Sequence, residues 1–199
     1  MDPVPLHSER LVLRCAEAAD QDRLVAALND QRVSQWLARV PFPYGPHDAI
    51  RWVSISQDNW QRDSAYPFVA LCGGDLIGGI GITRVSEDTG ILGYWLVPER
   101  WRQGFGREMM HSVLRFGFDT CHFKRFEAGI HPDNARSGGL LLACGFHAIG
   151  DQIYLHPPRD GRLQGPHFRL NRDDYRPPPT RPSATAKDED RRAVIPKRS

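Results

Sequence analysis

Apolar residues recur along this chain with two periods, and the switches between them mark the elements. Residues 10–14, RLVLR, alternate and predict a first strand. Residues 18–28 place Leu24, Val25 and Leu28 at helical spacing, and Asn29 and Asp30 stop that helix. A short helix is predicted at 33–37, with Trp36 packing down, and PFPYGP at 41–46 reads as a loop. Residues 47–60 predict a longer helix with Ile50, Val53 and Trp60 on one face. Pro46 stands at its start, where a missing N–H costs nothing.

A run of strands follows. Residues 66–71 and 76–82 flank Gly73-Gly74-Asp75, a tight-turn signal, and predict a hairpin. Gly78, Gly79 and Gly81 weaken the second strand but let something approach its backbone closely. A polar turn is expected at 83–90 and a strand at 91–96. Residues 106–119 predict a helix with Met109, Met110, Val113, Leu114 and Phe118 inward. A strand at 125–130 precedes a short helix at 134–144, with Asn134 as N-cap and Gly145 as stop. Strands at 148–155 and 167–170 enclose a polar loop at 157–165. This order predicts an α+β domain. Its sheet is a mostly antiparallel meander that turns parallel where helices intervene.

Composition sets the limits of that domain. Hydrophobic residues make up 40% of 199 and charged residues 25%, enough for one core. Residues 176–199 hold five prolines, seven Lys/Arg and three Asp/Glu, and are expected to be a disordered tail behind a single domain at 1–175. The net charge of +2 therefore belongs to the tail, and the body is mildly acidic. That argues against nucleic acid as a partner. Cys15, Cys72, Cys121 and Cys144 form no CxxC pair, so reduced, packed thiols and no metal are expected. MDPVPLHSERL lacks a basic segment followed by an apolar run, and no stretch is long enough to span a membrane. A cytoplasmic protein is the expectation, with monomer and homodimer both open.

The chemistry concentrates in residues 92–110, LGYWLVPERWRQGFGREMM. An apolar strand leads through Pro98 and a Gly-containing turn into a helix. Helix N-termini carry unpartnered N–H groups and positive potential, so this is a candidate anion site. No Walker loop is present, and Gly104-Phe105-Gly106 reaches Met109 where a dinucleotide fingerprint needs glycine. Arg107 in the first helical turn is unfavourable for the helix unless an anion binds there.

GYWLVPERWRQGFGREMM followed by RFEAGIHPDNARSGGLLLACGF resembles the GNAT superfamily of acyl-CoA-dependent N-acyltransferases, and within it the RimJ/RimL-like branch. The resemblance covers nearly the whole body, from SERLVLR at 8–14 to DDY at 173–175. It implies a GNAT fold, a twisted sheet of about seven strands that splays at an acetyl-CoA site. It implies transfer of an acetyl group from acetyl-CoA to a primary amine by direct attack through a tetrahedral intermediate. The acceptor would be a protein N-terminal α-amine or a small-molecule amine.

By the same resemblance, Arg102, Gln103, Gly104, Phe105, Gly106 and Arg107 wrap the coenzyme pyrophosphate. Arg102 stands where the family usually has a small residue. Leu96 and Val97 offer backbone groups to the pantetheine arm, and an N–H near Leu96 faces the developing oxyanion. Asn134 and Ser137 match the N-x-x-S at the start of the last helix. Asn134 reaches the coenzyme, and the Ser137 hydroxyl protonates the leaving thiolate. Many relatives outside the branch place a tyrosine where this chain has Leu141. Many also carry a glutamate where Ile91 and Leu92 stand. Glu127 stands in the matching RFEA strand, a position common in the family as a structural feature, and is a candidate catalytic base, with His131 and His47 as looser candidates. Phe42, Tyr44 and Tyr94 are the expected substrate contacts. The missing Glu and Tyr leave open a non-catalytic acyl-CoA-binding module.

Overall fold

The structure, a computed structural model, describes residues 1–156 and 161–178. The expected tail falls from residue 179 onward outside the described residues, as does part of the polar loop before residue 165. One sheet holds eight strands, where about seven were expected. They are β1 (Leu6–His7), β2 (Val12–Arg14), β3 (Ala65–Cys72), β4 (Asp75–Arg84), β5 (Thr89–Leu96), β6 (Arg125–Gly129), β7 (His147–His156) and β8 (Gly161–Asn171). Their spatial order is β1-β2-β3-β4-β5-β6-β8-β7. All neighbours are antiparallel except β5 and β6. That pair is parallel because a helix, α4 (Phe105–Asp119), crosses between the two strands. The remaining helices are α1 (Gln21–Leu28), α2 (Gln31–Ser34), α3 (Pro46–Gln61) and α5 (Ala135–Ala143).

Local chemistry accounts for most boundaries. Gly73 and Gly74 sit at φ +59° and +90°, the double positive φ of a two-residue hairpin loop. The loop joins Cys72 directly to Asp75, so Asp75 belongs to β4 rather than to the turn. The Asp30 side chain accepts from Arg32 N–H, which starts α2 two residues earlier than its apolar pattern suggests. In α3 the buried face is Ala49, Val53, Ser56 and Trp60. Ile50 lies one residue off that face and is 52% exposed, against expectation. β8 begins at Gly161, well before the strand its apolar residues mark.

Two cores flank the sheet. The larger joins Leu13, Phe68, Ile80, Ile82, Leu92 and Phe126 to Met109, Met110, Val113, Leu114 and Phe118 of α4 and Leu141 of α5. The smaller joins Val69, Leu76 and Trp95 to α1, α2 and α3 through Leu24, Leu28, Val33, Ala49 and Val53. Gly79 serves the second core: a Cβ there would lie 2.7 Å from Nε1 of Trp95. The close approach implied by the glycines of β4 is thus made in part by the neighbouring indole.

The larger core is closed most tightly at Gly117, where a Cβ would meet Phe126 Cζ at 2.3 Å and Ile82 Cδ1 at 3.0 Å. Both neighbours are buried rings or chains with no room to yield. Gly117→Ala is expected to destabilise by about 1–3 kcal/mol through overpacking, read as a lower midpoint in urea with an unchanged slope.

Candidate active site

The site begins where β5 leaves β6. β5 pairs with β4 over its whole length, but with β6 only at Thr89↔Arg125, Gly90↔Phe126 and Ile91↔Glu127. Past Ile91 the strands part. In an antiparallel ladder, hydrogen-bonded and non-bonded pairs alternate. Val97 N–H donates to Ile77 C=O at 2.8 Å, so the odd residues of β5 face β4. Tyr94 and Leu96 therefore turn their N–H and C=O toward the gap. The Trp101 indole N–H takes the Leu96 carbonyl at 2.8 Å. Left for a ligand are both groups of Tyr94 and the N–H of Leu96.

This parity corrects the expectation for Val97. Its N–H is spent on Ile77 and its C=O accepts from Arg100 N–H at 3.0 Å. Tyr94 takes its place as the second ligand-facing residue of the strand.

A cavity of about 340 Å³ opens along the gap and runs to the start of α4. There Arg102 and Gly104 adopt φ +59° and +83°, which folds the chain into the helix. The left-handed conformation costs a non-glycine residue roughly 1–2 kcal/mol, which explains why a small residue suits position 102. Among the described residues, the backbone amides from 102 to 107 have no internal acceptor. Glu108 is the first residue whose N–H is satisfied, by Gly104 C=O at 3.0 Å. Six consecutive N–H groups at a helix N-terminus make a strong anion cradle.

The cradle is held from outside. Arg10 donates to Gln103 C=O at 3.0 Å and pairs with Glu108 at 2.7 Å, and its guanidinium lies 4.0 Å over the Phe105 ring. Ser8 Oγ also donates to Glu108 at 2.7 Å. Gln103 turns its side chain back to Glu99 C=O at 2.7 Å. Phe105 itself is buried, so its contribution at the site is its backbone. Arg102 and Arg107 line the cavity and are exposed. They are joined by Arg136, which stacks 3.9 Å over the Trp101 ring. Arg136 carried no motif signal beyond lying between Asn134 and Ser137. Arg10 acts across 93 residues of sequence, which no local pattern shows.

On the opposite wall stands the start of α5. Asn134 caps it by accepting from Ser137 N–H at 3.2 Å. Both residues line the cavity. Ser137 Oγ lies 2.6 Å from the Tyr94 hydroxyl, which also reaches Ser137 C=O at 3.2 Å. If Tyr94 donates to Ser137 Oγ, the serine proton is free to point into the cavity. Burial first, partly opposed by the Ser137 hydrogen bond, pushes the Tyr94 phenol above its ordinary range, so it stays protonated through neutral pH. Leu141, where many relatives place a tyrosine, is fully buried; the tyrosine beside Ser137 comes instead from β5, at Tyr94, which the sequence places among the substrate contacts.

Other expected residues stand elsewhere. Glu127 does not line the cavity. It accepts from Arg169 at 2.7 and 3.0 Å and lies 3.0 Å from His167 Nε2. Burial would raise its pKa, but the His167 and Arg169 hydrogen bonds outweigh that and hold the carboxyl below its usual range. This makes it a poor proton acceptor and a good strand-to-strand brace. Phe42 is 53% exposed and outside the cavity lining. Tyr44 is buried in the smaller core, tied to Asn29 through its backbone at 2.6 and 2.9 Å, its phenol pushed by burial to about 12. The apolar wall of the cavity is made instead by Val33, Trp36, Leu37 and Trp95. Of the looser bases, His47 is exposed; His131 is buried and accepts from Asp133 N–H at 3.2 Å. Neither lines the cavity.

An open strand edge that continues into an amide cradle defines a protein that binds an extended ligand with an anionic head. The family follows from comparison: residues 10–147 match the model of the acetyltransferase (GNAT) domain, and the chain belongs to that family. It is therefore an N-acetyltransferase by family. It is 27% identical over 149 residues to p20 of Bacillus licheniformis, an uncharacterized N-acetyltransferase, covering 73% of this chain and 83% of that one. Its fold is similar to a candidate ribosomal-protein-serine acetyltransferase from Vibrio cholerae, with TM-score 0.76, 25% identity and coverage of 86% and 99%. It is also similar to Mycobacterium smegmatis RimJ in complex with CoA-disulfide, with TM-score 0.76, 21% identity and coverage of 87% and 91%. Among the described residues no helix is long and apolar enough to cross a membrane, and no group of three His, Cys, Asp or Glu is placed to hold a metal.

The Glu127 brace has a defined pH signature. Its folded pKa lies below the unfolded value of about 4.3, so its stabilisation is complete above that value and is lost as pH falls through the folded pKa. Glu127→Gln is expected to lower the melting temperature at neutral pH, with the gap to wild type closing toward pH 3. A gap that stays constant with pH would contradict the assignment.

Proposed function

We propose that the protein transfers an acetyl group from acetyl-CoA to a primary amine, with the coenzyme lying along the parted edge of β5. The observation that carries this reading is the continuity of that edge with the partnerless amides of 102–107. The fit is chemical as well as geometric. The cradle and the guanidinium groups of Arg102, Arg107 and Arg136 suit phosphates. The free N–H and C=O of Tyr94 suit an amide of the pantetheine arm as an added strand would. Acetyl-CoA supplies an activated acetyl thioester.

The chain's own residues divide the remaining work. Leu96 N–H is the donor for the charge that develops on the acetyl oxygen. Ser137 delivers a proton to the departing sulfur, and Tyr94 at 2.6 Å replenishes it. Among the described residues no Asp, Glu or His lines the cavity, so the amine arrives neutral or loses its proton through water. An α-amino group with pKa near 8 is partly neutral already. The acceptor is then a protein N-terminal α-amine or a small-molecule amine. The carboxylate-free lining also suits a second reading, a module that binds acyl-CoA without turnover.

Calorimetry and thiol release separate the two. Coenzyme A is expected to bind and to raise the melting temperature. Ser137→Ala should lower kcat by about 10²-fold while leaving coenzyme affinity nearly unchanged, and Tyr94→Phe should lower it less. Binding with no thiol release across an amine panel would establish the binding-only module. No binding at all would end both readings.

A further inference from the structure

The cavity passes through the sheet. Side chains alternate along a strand, so Tyr94 and Leu96 pack with the α4 core while Trp95, between them, packs with the α1–α3 core. All three line the same cavity. Its α4/α5 half presents Ser137, Asn134, Gly104, Gly106 and the arginines, the groups that suit the coenzyme. Its other half presents Val33, Trp36, Leu37, Trp95 and Trp101, with no acidic or hydroxyl side chain. Trp36 stands edge-on to buried His131, with ring centroids 5.2 Å apart. Its indole Nε1 is buried and has no acceptor among the described residues.

Resting on the acetyl-transfer reading, we propose that the acceptor is a primary amine carried on a flat, uncharged, apolar group. That group sits among Trp36, Trp95 and Leu37, and polycationic amines are rejected. Aromatic rings gain beyond their buried area by packing edge-on or offset against indoles. A second ammonium would lose its water with no carboxylate to receive it. Arg102, Arg107 and Arg136 add positive potential along the same cavity. In the transfer itself the amine nitrogen bonds the acetyl carbon and the carbon–sulfur bond breaks. The amine loses one proton to water, the sulfur gains one from Ser137, and the proton on water returns to the Ser137–Tyr94 pair, which closes the cycle.

The test uses the full chain with tryptamine, a Phe-initiated neutral peptide, and spermidine as probes. Coenzyme A affinity and thiol release across a broad amine panel are measured separately, so that loss of the acetyl-transfer reading shows there first. The expected result is a kcat/KM for tryptamine or the peptide at least about tenfold above that for spermidine. Which of the two leads tells a small acceptor from a chain end. Trp36→Ala should raise KM for the aromatic amine about tenfold or more without changing coenzyme affinity, and Trp36→Phe should restore most of it. Preference for spermidine, coenzyme binding with neither aromatic amine accepted, or a Trp36→Phe variant no better than Trp36→Ala in a folded protein would each overturn the proposal.

Discussion

The structure turns on a short parallel ladder. β5 and β6 share three residue pairs and then separate, and everything functional lies in or beside the space they leave. A strand edge opened inside a sheet is ordinarily a liability, because its N–H and C=O groups need partners. Here the edge is kept short. Trp101 covers one carbonyl, α5 fills the far side, and two residues are left to offer hydrogen bonds. The opening is thus a binding device bounded by an indole on one lip and a capped helix on the other.

Several distant contacts hold that device in shape. Arg10 fixes the Gln103 carbonyl and the Glu108 carboxylate at the two ends of the turn that carries the unpartnered amides. Glu127, His167 and Arg169 bind β6 to β8 beside the last shared pair. The carboxylates of these pairs are largely shielded while their arginines stay partly exposed, so desolvation offsets much of the Coulombic gain. Their value here lies in orientation: several hydrogen bonds converge on single carboxylates and leave few alternative geometries.

The order of helices and strands was legible because hydrophobic periodicity and turn chemistry are local. Gly73-Gly74, Asn134 and Gly145 each performed the role their residue type implies. The amide cradle was legible for the same reason, since a turn entering a helix is a local object. What failed depended on register or on distance along the chain. The resemblance names Val97 beside Leu96, and neither it nor the sequence carries the ladder parity that turns Tyr94 and Leu96, not Val97, toward the gap. Ile50 was placed on the buried face by a one-residue error in helical phase. Glu127 looked like a free carboxylate because its partners lie 40 and 42 residues away. Phe42 and Tyr44 are substrate contacts only by the family resemblance, and here Tyr44 completes a core while Phe42 lies outside the cavity lining. The Tyr94–Ser137 contact spans 43 residues and had no sequence signature.

The central claim is that Tyr94 and Leu96 offer the strand edge that coenzyme A occupies. Amide hydrogen exchange read residue by residue, with and without coenzyme A, tests it most directly. The account predicts added protection at Tyr94, Leu96 and residues 102–107, with Val97 unchanged because its amide is already bonded to Ile77. Saturating coenzyme that protects Val97 but leaves Tyr94 and Leu96 exchanging as before would contradict it.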